Sequence, residues 1–242
     1  MATHWLVAAK VPAALASALA SSGWHPEEMP FVPVQLLTTH ASTATVKLLF
    51  AEAEMSSSAE VPLQCLEPAN ARVQDGVDDI GKLSELNEPA LYHLVAARFL
   101  VHRKMYTRAG PVLVALNPFA QQPKLYATDV LEAYQRRAKF VEENTAAAAE
   151  GEEGVAAAAP HIYEIAASAY QGLLSRNKSQ SVVINGESGA GKTESCKLIL
   201  RCLTHAARDA AASTIARSEA LAKRLHATNP ILESMGNAKT LR

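Results

Sequence analysis

Rings are scarce in this chain and charge is balanced. Aromatic residues make up 5% of its 242 positions, so the apolar content, 49% in all, is mostly aliphatic, led by alanine and leucine. Lys and Arg number 23 against 24 Asp and Glu, a formal charge of -1, which excludes the basic footprint of a dedicated nucleic-acid binder. Cysteine is sparse as well. Cys65, Cys196 and Cys202 form no C-x-x-C pair and cannot all pair with one another, which argues against a disulfide framework or a zinc site and for a reducing compartment. They read as buried free thiols. No apolar run reaches the roughly 18 residues of a membrane span. The nearest candidate, Leu6 to Ala20, is interrupted by Lys10 and Pro12 and reads as part of the fold, with a transit peptide as the minor alternative.

What is present is enough chain for one or two domains with a real core. Residues 31 to 67 hold short β-type runs, Phe31 to Val34, Thr45 to Phe50 and Val61 to Leu63, separated by Ser, Thr and Glu clusters. They predict a small β-barrel over about 31–70, in an N-terminal region spanning 1–74. The composition turns polar around Ala71 to Asp79, a boundary after which a second region, 75–242, begins. Asn87, Glu88 and Pro89 are a helix start, followed by an apolar stripe of Leu91, Leu94, Val95 and Phe99. Met105 to Thr107, a turn at Arg108 to Gly110, and Val112 to Leu116 read as a hairpin whose second strand is apolar on both faces and so belongs inside a sheet. The stretch from Glu142 to Ala159 is a low-complexity alanine and glutamate tract, expected to be a solvated insertion. A helical pattern resumes at His161, with Ile162, Ile165, Ala169 and Leu173, and ends before Asn177.

The chemistry concentrates after that helix. Ser181 to Ile184 is a β-branched run suited to a buried parallel strand, and it feeds into Gly186, Glu187, Ser188, Gly189, Ala190, Gly191, Lys192 and Thr193, the pattern G-x-x-x-x-G-K-[ST]. Cys196, Ile199, Leu200 and Leu203 then repeat at helical spacing, so strand, glycine loop and helix occur in the required order. By chance such a pattern arises in a chain of this length about once in a hundred, and the flanking elements lower that further. Glycines let main-chain N–H groups converge on phosphate oxygens at a helix N-terminus. Lys192 supplies a point charge to the β- and γ-phosphates, and the Thr193 hydroxyl is placed to ligate the Mg²⁺ that bridges them. Glu187, Ser188 and Glu194 are polar residues of the loop tip, open either to solvent or to nucleotide.

The octet from Gly186 to Thr193, with Glu194 after it, resembles the phosphate loop of the myosin motor family. Leu83 to Pro89 is similar to the segment that opens the motor core. Val114 to Phe119 with Tyr126 is similar to its adenine-binding loop. Pro160 to Tyr163 and Asn229 to Thr240 match further family stretches in family order. Val61 to Leu63 and Leu66 to Asn70 resemble, more weakly, the SH3-like barrel that precedes many myosin motors. The resemblance covers about residues 78–242.

It implies an α/β fold: a P-loop NTPase-type central sheet flanked by helices, a partial motor core, behind a small SH3-like β-barrel. It implies ATP as ligand, with Asn117, Pro118, Phe119 and Tyr126 on the purine and Lys192 and Thr193 on triphosphate and Mg²⁺. Read alone, Asn117 and Pro118 are turn chemistry and Phe119 could be ordinary core. The implied function is the ATP-binding part of an actin-activated ATPase motor in the cytoplasmic actin cytoskeleton. Actin contacts would lie mostly outside this stretch, and light chains and cargo would be held by neck and tail segments. Two departures stand out: the 142–159 tract looks inserted, and the sequence stops at Leu241 and Arg242, where the family's first nucleotide switch would begin. After Thr193 the only aspartate is Asp209, which does not end an apolar strand, so no second acidic magnesium partner is expected. Two alternatives remain open: a truncated, catalytically inert nucleotide-binding fragment, and a P-loop small-molecule kinase.

Overall fold

Strict alternation of apolar and polar residues builds the N-terminal sheet. In the computed structural model, which describes residues 4–20, 24, 28–49, 58–70, 77–143, 158–210, 224 and 227–228, the chain divides into two compact units. The boundary stretch 71–76, most of the 142–159 tract and the 229–240 segment lie outside the described residues. The first unit comprises residues 1–104 with 108–110. It holds β1 (His4–Val7), α1 (Ala13–Ala20), β2 (Phe31–Thr39), β3 (Thr43–Leu48), β4 (Ser58–Pro62), β5 (Leu66–Pro68) and α2 (Glu88–Ala96).

The five strands form one antiparallel sheet in the order β4-β3-β2-β1-β5. Along β3, Ala44, Val46 and Leu48 are buried while the residues between them are half-exposed, the period of two that a one-sided sheet demands. Residues directly opposite share a face, so Leu6 beside Val32 and Val34 beside Leu48 extend one apolar layer across strands. Leu19 of α1, Trp24 and Cys65 close that layer from the other side, and the Trp24 indole N–H donates to the Met29 carbonyl at 2.9 Å. The Leu6 to Ala20 run thus divides into a strand, a turn and a helix. Among the described residues no helix is long and apolar enough to cross a membrane. Three expected strand runs fall in β2, β3 and β4; β1 and β5, with four and three residues, are too short to show a period of two.

Helix α2 starts as its residues dictate. The Asn87 side chain accepts from the Ala90 N–H at 3.0 Å and Pro89 sits in the first turn. Leu94 is buried, and a single wide turn, Ala97–Val101, continues the helix and buries Arg98, which donates to the Val77 carbonyl at 2.8 Å.

The second unit, residues 105–107 with 111–242, contains β7 (Val112–Ala115) and the beginning of its hairpin partner β6 (Tyr106–Ala109). Its helices are α3 (Thr128–Glu143), α4 (Ile162–Arg176) and α5 (Lys192–Ala210). Helix α4 packs against both α3 and α5, burying its Ile162, Tyr163, Ala166 and Ala167 together with Leu131 of α3 and Ile199, Cys202 and Ala206 of α5. Small residues at 166 and 167 let the helices approach closely. Of the expected stripe Ile162 is buried, Ile165 and Ala169 are half-buried, and Leu173 faces solvent with Leu174. The helix ends at Asn177, in the left-handed conformation with φ 48°.

Two strand expectations are corrected. Val112–Ala115 is a strand, but its only partner among the described residues is β6, and Val112 is exposed. Ser181 to Ile184 is not a strand, and Val183 is 87% exposed. The reason is physical: a β-branched run becomes a strand only when a neighbour supplies N–H and C=O groups, and parallel neighbours come from distant sequence. No described segment pairs with it as a strand. The described architecture is mixed α/β, with an antiparallel sheet, a hairpin and helices.

Candidate functional site

The glycine loop forms where the octet places it, directly before α5. Gly189 and Gly191 have φ of 79° and 94°, left-handed values that side chains resist, and a Cβ on Gly186 would stand 3.2 Å from the Ala190 Cβ. The loop closes on itself through the Ala190 N–H donating to the Glu187 carbonyl at 3.2 Å, and the helix begins with Ser195 N–H to the Gly191 carbonyl at 2.9 Å. The Lys192 amine folds back over the loop and donates to the Gly186 and Glu187 carbonyls at 2.7 and 2.8 Å. The Thr193 side chain is exposed in the first turn of α5. Unpaired N–H groups of a helix start, an ammonium and left-handed glycines are together a receptor for an oxyanion.

A second loop is fastened to the first. The Asn117 amide donates to the Gly189 carbonyl at 2.8 Å, while its Oδ1 accepts from the Phe119 N–H at 2.9 Å, an Asx turn. Phe119 itself has φ 50° and is 78% exposed, so the ordinary-core alternative for it does not hold. A left-handed, solvent-facing aromatic costs about 1–2 kcal/mol, and such strain persists where the surroundings fix it. Asn117, Pro118, Phe119 and Tyr126 line one cleft of about 640 Å³ together with Ala190, Gly191 and Glu194. Lys192 borders a separate apolar cleft of about 480 Å³, shared with Val112, Ile165, Val183 and Ile199.

Behind Tyr126 lies a nest of rings. Its hydroxyl shares a 2.8 Å hydrogen bond with that of Tyr106. His161, 2% exposed, stacks on Tyr134 at 4.9 Å and meets Tyr106, Tyr126 and Tyr163 at steeper angles. Its Nδ1 accepts from the Tyr163 N–H at 3.0 Å, capping α4. Burial pushes the His161 pKa down to about 4, against a smaller opposing effect of the Leu125 backbone, so the ring is neutral near pH 7. Burial likewise raises the Tyr106 and Tyr126 hydroxyls.

The structure thus joins the two predicted clusters but divides their tasks. Asn117, Pro118, Phe119, Tyr126, Ala190, Gly191 and Glu194 share the larger cleft, and Gly186 and Lys192 face the smaller one. Glu194 also pairs with Lys197 at 2.6 Å, and Glu187 contributes its carbonyl to Lys192. Ser188 is an exposed loop-tip residue. Tyr106, Ser195 and Leu198 line the larger cleft without any sequence signal, since a hairpin tyrosine and two helix-face residues match no motif. Among the described residues no group of His, Cys, Asp and Glu converges into a metal cage.

Comparison with known proteins gives the family. The myosin head (motor domain) family matches residues 77–242. Myosin-3 of Arabidopsis thaliana is 38% identical over 183 residues, 76% of this chain and 13% of that protein. Myosin-2 of the same plant is 35% identical over 208 residues, 86% of this chain and 14% of that protein. Myosin-2 of Lachancea kluyveri is 32% identical over 231 residues, 90% of this chain and 14% of that protein. The chain therefore spans about one seventh of the length of the curated relatives it matches. With a match that takes in the glycine loop, the Asn117 to Tyr126 loop and the helices that carry both, the chain belongs to the myosin head family.

Proposed function

We propose that this chain forms the ATP-binding part of an actin-based motor that couples ATP hydrolysis to movement on actin filaments. The observation that carries the reading is the 2.8 Å bond from the Asn117 amide to the Gly189 carbonyl, which fastens a base-sized cleft to the phosphate loop. In this proposal Asn117, Pro118, Phe119 and Tyr126 receive the purine, and the glycine-loop amides and Lys192 receive the triphosphate. Lys192 must exchange its two carbonyl partners for phosphate oxygens, a step its flexible stem allows. Glu187, Ser188 and Glu194 border the phosphates.

The residues fit a magnesium ion of the kind held mainly through phosphate. Among the described residues the Thr193 hydroxyl is the protein ligand offered, beside a loop shaped for anions, and the ion would neutralise charge between the phosphates. Positioning and charge stabilisation supply most phosphoryl-transfer catalysis, and these residues account for the gripping half of it. Water positioning and switching belong to segments beyond those described.

The fold assignment completes the proposal. The five-stranded sheet of the first unit is the family's small SH3-like barrel, and the motor part begins near residue 75. The Val112–Ala115 strand and the 181–184 run, which is no strand among the described residues, would join a P-loop-type central sheet only when further strands pair with them. The apolar cleft of about 480 Å³ lined by both supports this. It also follows that residues 1–242 alone turn over ATP negligibly, and that light chains, cargo and most actin contacts engage other segments. The location would be the actin cytoskeleton.

Phosphate release by the full-length polypeptide, measured with and without filamentous actin, tests the reading. Activation by actin supports it. Transfer of the γ-phosphate to a nucleoside or metabolite, the chemistry of a small-molecule kinase, overturns it.

A further inference from the structure

The loop from Asn117 to Tyr126 is pinned at both ends, and the second pin lies outside the cleft. At its far end, Arg201 of α5 donates from one guanidinium nitrogen to the Tyr126 carbonyl at 2.8 Å and from the other to the Thr128 hydroxyl at 3.2 Å. The same carbonyl accepts from the Tyr163 hydroxyl at 3.2 Å. At a rise of about 1.5 Å per residue, Arg201 stands about 14 Å along the helix axis from Lys192. One helix therefore holds the phosphate loop at its start and the base-side loop further along.

We propose that Arg201 is a positioning residue that sets the spacing between the purine side and the phosphate side of the site. It rests on the nucleotide reading above and adds to it a residue that no motif marks. Arg201 is exposed and does not line the cleft, so it acts through Tyr126 and touches no ligand itself. The planar fork matters: two donors in fixed geometry reach a carbonyl and a hydroxyl at once, which the single ammonium of lysine does not reproduce. Freed from Arg201, Tyr126 keeps its phenol bond to Tyr106 and the longer Tyr163 bond to its carbonyl, but loses the shorter, charge-assisted main-chain anchor and the tie to Thr128.

Comparing ATP with tripolyphosphate as probes separates positioning from general stability, because tripolyphosphate has no base. In the full-length polypeptide with Mg²⁺, Arg201→Ala is expected to weaken ATP binding about tenfold, the order of one charge-assisted hydrogen bond. Tripolyphosphate affinity should stay within about twofold. Arg201→Lys retains the charge and one donor, and is expected to fall between, about threefold. Should Arg201→Ala fail to fold, the lysine variant carries the same test. Equal loss for both probes, or no loss for ATP, overturns the positioning role and leaves the nucleotide reading standing. Wild-type protein that binds neither probe overturns both.

Discussion

The buried layer of the N-terminal sheet and the candidate site spend their apolar residues differently. In the first, alternation along β3 sends every second side chain inward, and Trp24, Leu6, Val34, Ala44, Val46 and Val61 are fully buried. In the second, Val112, Phe119 and Val183 face solvent, and Gly189, Gly191 and Phe119 hold left-handed backbone. The sheet's apolar layer is closed by residues of its own unit, Leu19, Trp24 and Cys65. A site that must admit an anion and a planar base carries strain, uncovered polar groups and unpaired strand edges, the features by which functional regions depart from optimal packing.

The largest effects should separate the units cleanly. Trp24→Ala removes the largest fully buried side chain and is expected to destabilise the first unit by about 3–5 kcal/mol in urea unfolding, with ATP affinity unchanged. Lys192→Ala should do the reverse: hydrolysis by the full-length polypeptide falls about 10²- to 10³-fold, while the unfolding midpoint moves by less than about 0.5 kcal/mol. A variant that moved both quantities would break the contrast.

Acid sharpens it. The folded pKa of His161, about 4, lies below the unperturbed 6.5, so the unfolded chain takes up the proton first. Stability from this group is full above about pH 6.5, declines as pH falls toward 4 and is flat below, a loss of at most about 3 kcal/mol. Both tryptophans, Trp5 and Trp24, belong to the first unit. Tryptophan fluorescence should therefore hold between pH 6.5 and 4.5, while tyrosine near-ultraviolet dichroism from the His161 nest fades. Simultaneous loss of both signals would contradict this placement of the sensitive group.

The smallest expected effect is Asn117→Ala, which removes one exposed amide bond to Gly189 and the Asx turn at Phe119. ATP affinity should drop about fivefold, with tripolyphosphate affinity less affected. An unchanged ratio of the two affinities would detach the base-side loop from the phosphate loop in function.

Helix punctuation was legible from sequence because it is local chemistry: Asn87 caps, Asn177 terminates and Gly191 precedes α5, all within a turn of the residues that signal them. The octet was legible for the same reason. Pairing was not. Val182 and Val183 have strand composition, but strand status depends on neighbours from far along a chain, and composition does not encode their presence. The buried face of α4 is legible only in part: Ile162 is buried as its spacing predicts, but close helix approach selects Ala166 and Ala167 over the more apolar Ile165 and Leu173. Arg201 leaves no trace at sequence level, since its partners are a carbonyl and a threonine hydroxyl. Main-chain acceptors carry no residue code.

The most direct test is equilibrium titration of labelled ATP, with Mg²⁺, into the full-length polypeptide and its Lys192→Ala variant. Saturable binding that tripolyphosphate displaces, weakened at least tenfold by the substitution, is the predicted result. Absence of saturable binding, or equal affinity in the two proteins, would contradict the assignment of residues 186–193 as the grip on the triphosphate.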